Sequence, residues 1–157
     1  MALYRLLYRS DIVLSGPDFD DQIDRIVHAS ARANADAGLS GALFAAGGVF
    51  IQALEGPLPA LEAKFEQICS DLRHQHVRLI EIAAVEERTF AEWPMVRLSH
   101  APDVTEVTAL CRILASRQPM RLDMATSSAL VSLMRSVLVT GADGSGTASH
   151  PALAGGR

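Results

Sequence analysis

Three uncharged polar side chains, Tyr8, Asn34 and Gln52, occupy positions that the surrounding apolar pattern turns inward. Gln52 lies within the run Val49-Phe50-Ile51-Gln52-Ala53-Leu54, whose alternation puts Phe50, Gln52 and Leu54 on one strand face and Val49, Ile51 and Ala53 on the other. A buried primary amide brings donors and acceptors that each cost roughly 1–3 kcal/mol if left unmet, so burial requires polar company. The same pattern also allows an edge strand with Gln52 in water. Asn34 shares a helical stripe with Ile23, Val27 and Ser30, and can contact a ligand or bond local backbone at the helix end. Tyr8 can be an ordinary core tyrosine, although its hydroxyl needs a partner once buried. Turned toward one helix-covered face, the three could bind a planar molecule with several hydrogen-bonding edges.

A second cluster is Ser70-Asp71-Leu72-Arg73-His74. It places a cation at the negative end of a helix dipole, a common structural arrangement, and the same arginine could hold a phosphate. Trp93 and Met95 read as packing residues, and Glu55-Gly56-Pro57 as a strand-to-helix turn. No glycine-rich phosphate loop, nucleophile elbow or HExxH occurs. Cys69 and Cys111 are isolated and read as core thiols, and His74 and His76 have no completing ligands nearby, so no metal is expected.

These groups need elements to position them. Residues 2–9 alternate as a strand, and helical spacing over Phe19, Ile23, Ile26 and Val27 predicts a helix from about Asp18 to Ala37, ended by Gly38. Ser40–Ala46 and Gly48–Glu55 read as strands joined in a hairpin through Gly47-Gly48. Leu61, Phe65, Ile68 and Leu72 predict a second helix to about Arg73, followed by strands at Val77–Val85 and near Met95–Ser99. This βαββαββ order predicts a ferredoxin-like α+β fold: a five-stranded mixed sheet with two helices on one face. A third helix around Val104–Leu114 and a fourth around Val131, Met134, Val137 and Leu138 are expected on the other face.

The 157 residues suit one domain with appendages: a compact unit over 1–100, a helical extension over 101–139 and a disordered tail over 140–157. Hydrophobic residues at 49% and charged residues at 20% fit a globular protein. A net charge of −4 without a basic cluster argues against nucleic acid or an anionic membrane surface as partner. The N-terminus lacks the features of a secretory signal and no apolar run reaches spanning length, so a cytoplasmic location is expected.

From Leu3 to Ser99 the chain resembles the BLUF family, the blue-light sensors using flavin. The resemblance is carried by Leu7-Tyr8-Arg9-Ser10, Ala31-Arg32-Ala33-Asn34, Leu39-Ser40-Gly41-Ala42-Leu43-Phe44, Val49-Phe50-Ile51-Gln52-Ala53-Leu54-Glu55-Gly56, Asp71-Leu72-Arg73-His74 and Arg88-Thr89-Phe90-Ala91-Glu92-Trp93-Pro94-Met95. It implies a photoreceptor binding FAD, or FMN, and not an enzyme. Tyr8 would be the photochemical electron donor and Gln52 its bridge to the flavin, with Asn34 on the ring's polar edge. Arg32, Arg73 and His74 would lie near the cofactor, with Asp71 orienting Arg73. Trp93 and Met95 would carry the signal, whichever of them faces the flavin. Signalling would then act through an unidentified downstream protein or through oligomer state, and the apolar C-terminal helices predict a homodimer or higher homo-oligomer. Ala35 departs from the many members that carry a second amide after the asparagine. Without the resemblance, two other classes fit the residues: a small acylphosphatase-type hydrolase using Arg73 and Asn34, or an interaction module with no ligand.

Overall fold

A computed structural model describes residues 1–14, 16–46, 48–98 and 124–144. Strand β1 (Leu3–Ile12) leads into helix α1 (Phe19–Asp36), the hairpin β2 (Ser40–Ala46) and β3 (Val49–Gly56), and helix α2 (Leu58–Ser70). Strands β4 (His74–Val85) and β5 (Val96–Leu98) follow, then helix α3 (Met124–Gly144). The sheet has five strands in the order β4-β1-β3-β2-β5, antiparallel except for the β2–β5 pair. This is the expected ferredoxin-like mixed sheet.

Central placement makes β3 the organising strand, and each of its residues is buried. Phe50 and Leu54 join Leu6, Tyr8 and Leu43 in a core covered by Ile23 and Ile26 of α1 and Leu61 and Ile68 of α2. Val49, Ile51 and Ala53 face the opposite core, covered by Leu130, Val131, Met134 and Val137 of α3. The two-residue period of the strand therefore sorts its side chains between two separate helix-covered layers.

Local chemistry sets the element ends. At the end of α1, Leu39 N donates to Asn34 O at 2.8 Å and Gly38 N to Ala35 O at 3.2 Å, with Gly38 at φ +68°. This is a Schellman closure, which needs a residue tolerant of the left-handed region and pins Asn34 in the last turn. Gly41 is constrained differently: a Cβ there would stand 2.3 Å from Ala53 O, so only glycine lets β2 approach β3.

Several boundaries depart from the sequence-based expectation. Helix α2 stops at Ser70 rather than near Arg73, because Asp71 is extended at ψ 117°. Strand β4 begins at His74 rather than Val77, since pairing with β1 extends back to the Ile12–His74 register. Helix α3 runs to Gly144, beyond the Val139 boundary. Cys69 is exposed rather than a core thiol, since it follows inward-facing Ile68 by one residue on α2. Cys111, the expected helix around Val104–Leu114 and the tail beyond Gly144 lie outside the described residues.

The segment between β4 and β5 is held by a carboxylate. Glu55 is fully buried on the α3 side, between its cross-strand partners Arg5 and Ser40. Its Oε1 accepts from Arg5 Nε and Thr89 N at 3.0 Å, and its Oε2 from Phe90 N at 2.9 Å and Ser40 Oγ at 3.5 Å. Arg88 adds bonds to Ser40 Oγ and Glu55 O at 2.9 Å and to Gly38 O at 2.7 Å. Beyond this staple, Arg97 of β5 pairs with Asp20 and Asp24 of α1.

Candidate functional site

Register brings the first two polar groups together. Tyr8 and Gln52 are direct partners across β1 and β3, and Leu43 of β2 is opposite Gln52 on its other side. Side chains opposite one another share a face, so Tyr8 Oη reaches Gln52 Oε1 at 2.5 Å. Gln52 is 4% exposed, which resolves its alternatives in favour of burial. Its Nε2 donates to Met95 Sδ at 3.4 Å. Burial, followed by the nearby Asp71 carboxylate and Cys69, pushes the Tyr8 phenol well above its usual pKa, so Tyr8 is a protonated donor.

Asn34 does not bond local backbone through its side chain. Its Nδ2 donates to Pro94 O at 2.8 Å, across the chain to the segment entering β5. Its Oδ1 is buried with no hydrogen-bond partner. An unmet buried acceptor is costly, and a ligand N–H would relieve it.

Between α1, α2 and the sheet opens a cleft. Tyr8, Gln52 and Leu43 form its sheet wall, with Ile26, Ala29 and Ser30 of α1 on one side and Lys64 and Ile68 of α2 on the other. Asn34 lies one helical turn beyond Ser30. Gln67, Asp71, Arg73 and His74 complete the lining.

At this end of the cleft an arginine is paired with a carboxylate. Asp71 Oδ1 accepts from Arg73 N and Nε at 2.9 Å, and Oδ2 from Arg73 Nη2 at 2.5 Å, so the carboxylate clamps the guanidinium. The hydrogen bonds from Arg73 hold the Asp71 carboxyl at about pKa 2, and Asp71 in turn raises Arg73. This interaction, rather than the α2 dipole, sets the position of Arg73. Burial, followed by the charge of Arg73, lowers the Lys64 pKa.

His74 Nδ1 lies 2.8 Å from Ser10 Oγ, and its ring is 4.8 Å from that of Phe50. Burial lowers the His74 pKa despite the opposing influence of Asp71. A depressed histidine favours the neutral fold, so its contribution is present above the ordinary value of 6.5 and is lost as pH falls through the folded pKa. Acidifying from pH 7 to 5.5 is therefore expected to lower the melting temperature less in His74→Asn than in the parent chain; equal losses would contradict this origin.

Arg32 is not among the residues that line the cleft. It is exposed, because two residues along α1 rotate it about 200° from Asn34. Ala35, one residue past Asn34, is exposed as well. Trp93 and Met95 separate: Met95 packs in the core under α1 and α2, whereas Trp93 packs against the α3-side core. Lys64 and Ser10 join the site beyond the expected residues, and periodicity carries both. Lys64 is at i+3 from Leu61 and i−4 from Ile68, and Ser10 is two strand positions after Tyr8.

Comparison with known proteins agrees with this geometry. Residues 3–96 match the BLUF family, described as sensors of blue-light using FAD. The photoactivated adenylate cyclase subunit beta of Euglena longa is 34% identical over 74 residues, covering 46% of this chain and 9% of that protein. The chain thus spans a small part of the curated relatives it matches. Among solved structures, BlrB, a BLUF protein in its dark state, superposes with a TM-score of 0.67 at 29% identity, covering 89% of this chain and 97% of BlrB. BlsA in its photo-activated state gives a TM-score of 0.72 at 22% identity, covering 85% of this chain and 94% of BlsA, a likeness of fold. Among the described residues no helix is long and apolar enough to cross a membrane. With its sheet, cleft and match over residues 3–96, the chain belongs to the BLUF family of flavin-based blue-light photoreceptors.

Proposed function

We propose that Tyr8 and Gln52 are the photochemical pair of this photoreceptor, with FAD as the preferred cofactor and FMN as the alternative. The observation that carries the reading is the buried chain Tyr8 Oη, Gln52 amide, Met95 Sδ, ending at the residue before β5. The residues also fit the cofactor: Asn34 Oδ1 is a buried acceptor without a donor, and Lys64 and Arg73 are cations suited to phosphate. A bound flavin supplies absorption of blue light and an excited-state electron acceptor.

Tyr8 then acts as donor. Loss of an electron makes its phenolic proton strongly acidic, and Gln52 Oε1 at 2.5 Å is placed to receive it. Both electron and proton return to Tyr8 after Gln52 has rearranged, so the outcome is an altered hydrogen-bond network rather than a product. Half a turn of the amide replaces the N–H facing Met95 with a carbonyl oxygen, which releases Met95. A tautomer change in place retains an N–H there. Met95 therefore distinguishes the two routes, and through β5 it carries the change toward a downstream protein or a second copy of the chain.

The decisive test is an absorption spectrum. The expected protein is yellow, its flavin band shifts to the red under blue light, and the shift reverses in the dark. A protein that stays colourless after reconstitution with FAD and FMN overturns the reading. Phosphate recognition follows from charge: replacing both Lys64 and Arg73 by alanine is expected to weaken FAD binding about 10- to 100-fold while leaving riboflavin binding unchanged. Titration calorimetry with the two ligands checks this, and equal losses would remove the phosphate role.

A further inference from the structure

Helix α3 touches the segment that leaves the cleft. Arg135 places its guanidinium carbon 5.0 Å from the centroid of the Trp93 ring. Its Nη1 is buried without a hydrogen-bond partner, and no ion pair among the described residues engages it. A guanidinium in that setting is stabilised by the face of an indole.

Trp93 is held from two directions. Its carbonyl accepts from Gly41 N at 2.9 Å, while the next two residues are gripped from the cofactor side. Asn34 Nδ2 donates to Pro94 O at 2.8 Å, and Gln52 Nε2 to Met95 Sδ at 3.4 Å. Proline restricts its own φ and the backbone of the residue before it, so a shift of Met95 or Pro94 is passed to Trp93 instead of being absorbed between them.

We propose that Arg135 is the positioning residue through which α3 receives the Gln52 rearrangement, by way of its stack on Trp93. The inference rests on the photochemical assignment of Gln52. Coupling is reciprocal: if light changes the stack, the stack changes the lifetime of the lit state. A cation–π contact of ordinary strength corresponds to a population ratio of about 2- to 30-fold.

The test uses the full flavin-loaded chain, comparing the parent with Arg135→Met, Arg135→Lys and Trp93→Leu. The readouts are the red shift, the dark-recovery rate and the light-dependent change in amide hydrogen exchange across residues 124–144. Arg135→Met is expected to keep the red shift, change recovery by about 2- to 30-fold and lose the exchange difference in α3. Arg135→Lys retains a cation and is expected to preserve most of both. Trp93→Leu removes the ring from the other side; its double variant with Arg135→Met should recover no differently from either single variant, and it carries the test if Arg135→Met does not fold. Unchanged recovery and α3 exchange in a folded, red-shifting Arg135→Met or Trp93→Leu overturns the inference alone. Absence of a red shift in the parent chain overturns the photochemical assignment and this inference with it.

Discussion

Tyr8→Phe abolishes the light-induced red shift and leaves the flavin bound; this is the largest functional effect expected of any single substitution. Phenylalanine fills the same space in the core, and Phe65, Leu6 and Ile26 keep their packing layer. Only the hydroxyl is lost, and with it both the readily oxidised phenol and the proton facing Gln52. The cost to stability is roughly 1–3 kcal/mol, because Gln52 Oε1 becomes a buried acceptor without its donor. Gln52→Leu should have the same spectroscopic phenotype by a different route: Tyr8 can still be oxidised, but no amide remains to take its proton and change partners. Difference spectroscopy before and after illumination measures both. A normal red shift in either variant would remove that residue from the photochemical pair.

The largest effect on stability is expected at Glu55. Its carboxylate is fully buried and accepts from Arg5 and from two backbone N–H groups of the segment leading to Trp93 and Met95. Glu55→Leu leaves the mostly buried Arg5 without its counter-charge, a change that typically costs about 3–5 kcal/mol. Urea denaturation should show that loss. The double variant Arg5→Met with Glu55→Leu should recover part of it by removing the stranded charge, while the Thr89 and Phe90 amides remain unmet. A single variant within about 0.5 kcal/mol of the parent would show that the staple is not what holds this segment.

The staple and Gln52 grow from the same strand. Gln52 and Glu55 are three residues apart on β3 and therefore face opposite layers. One lines the cleft and the other anchors the segment that returns Met95 to Gln52. Weakening Glu55 should thus affect the Gln52–Met95 contact as well as the fold, without touching the cleft.

Much of this was legible from local pattern. The alternation of β1 and β3, the helical stripes of α1 and α2, and the glycine that ends α1 depend on neighbours within a few residues, and the sequence displays those neighbours directly. The inward placement of Tyr8, Asn34 and Gln52 follows from the same periods. The end of α2 departs from the local pattern: the apolar stripe continues to Leu72, but the extended backbone at Asp71 and its clamp on Arg73 end the helix first.

What the residues alone determined about this protein is therefore which side chains share a face, and hence that three polar groups point into one layer. Only the tertiary structure decided what those groups meet. The strand order made β3 central and buried Gln52; antiparallel register set Tyr8 opposite it. The return of the chain to β5 put Met95 against Gln52, Pro94 against Asn34 and Trp93 beneath Arg135. Glu55, read locally as part of a turn, became a buried anchor through partners 34 and 50 residues away. Periodicity constrains a side chain's direction within its own element, but its partners depend on long-range pairing that no local window contains.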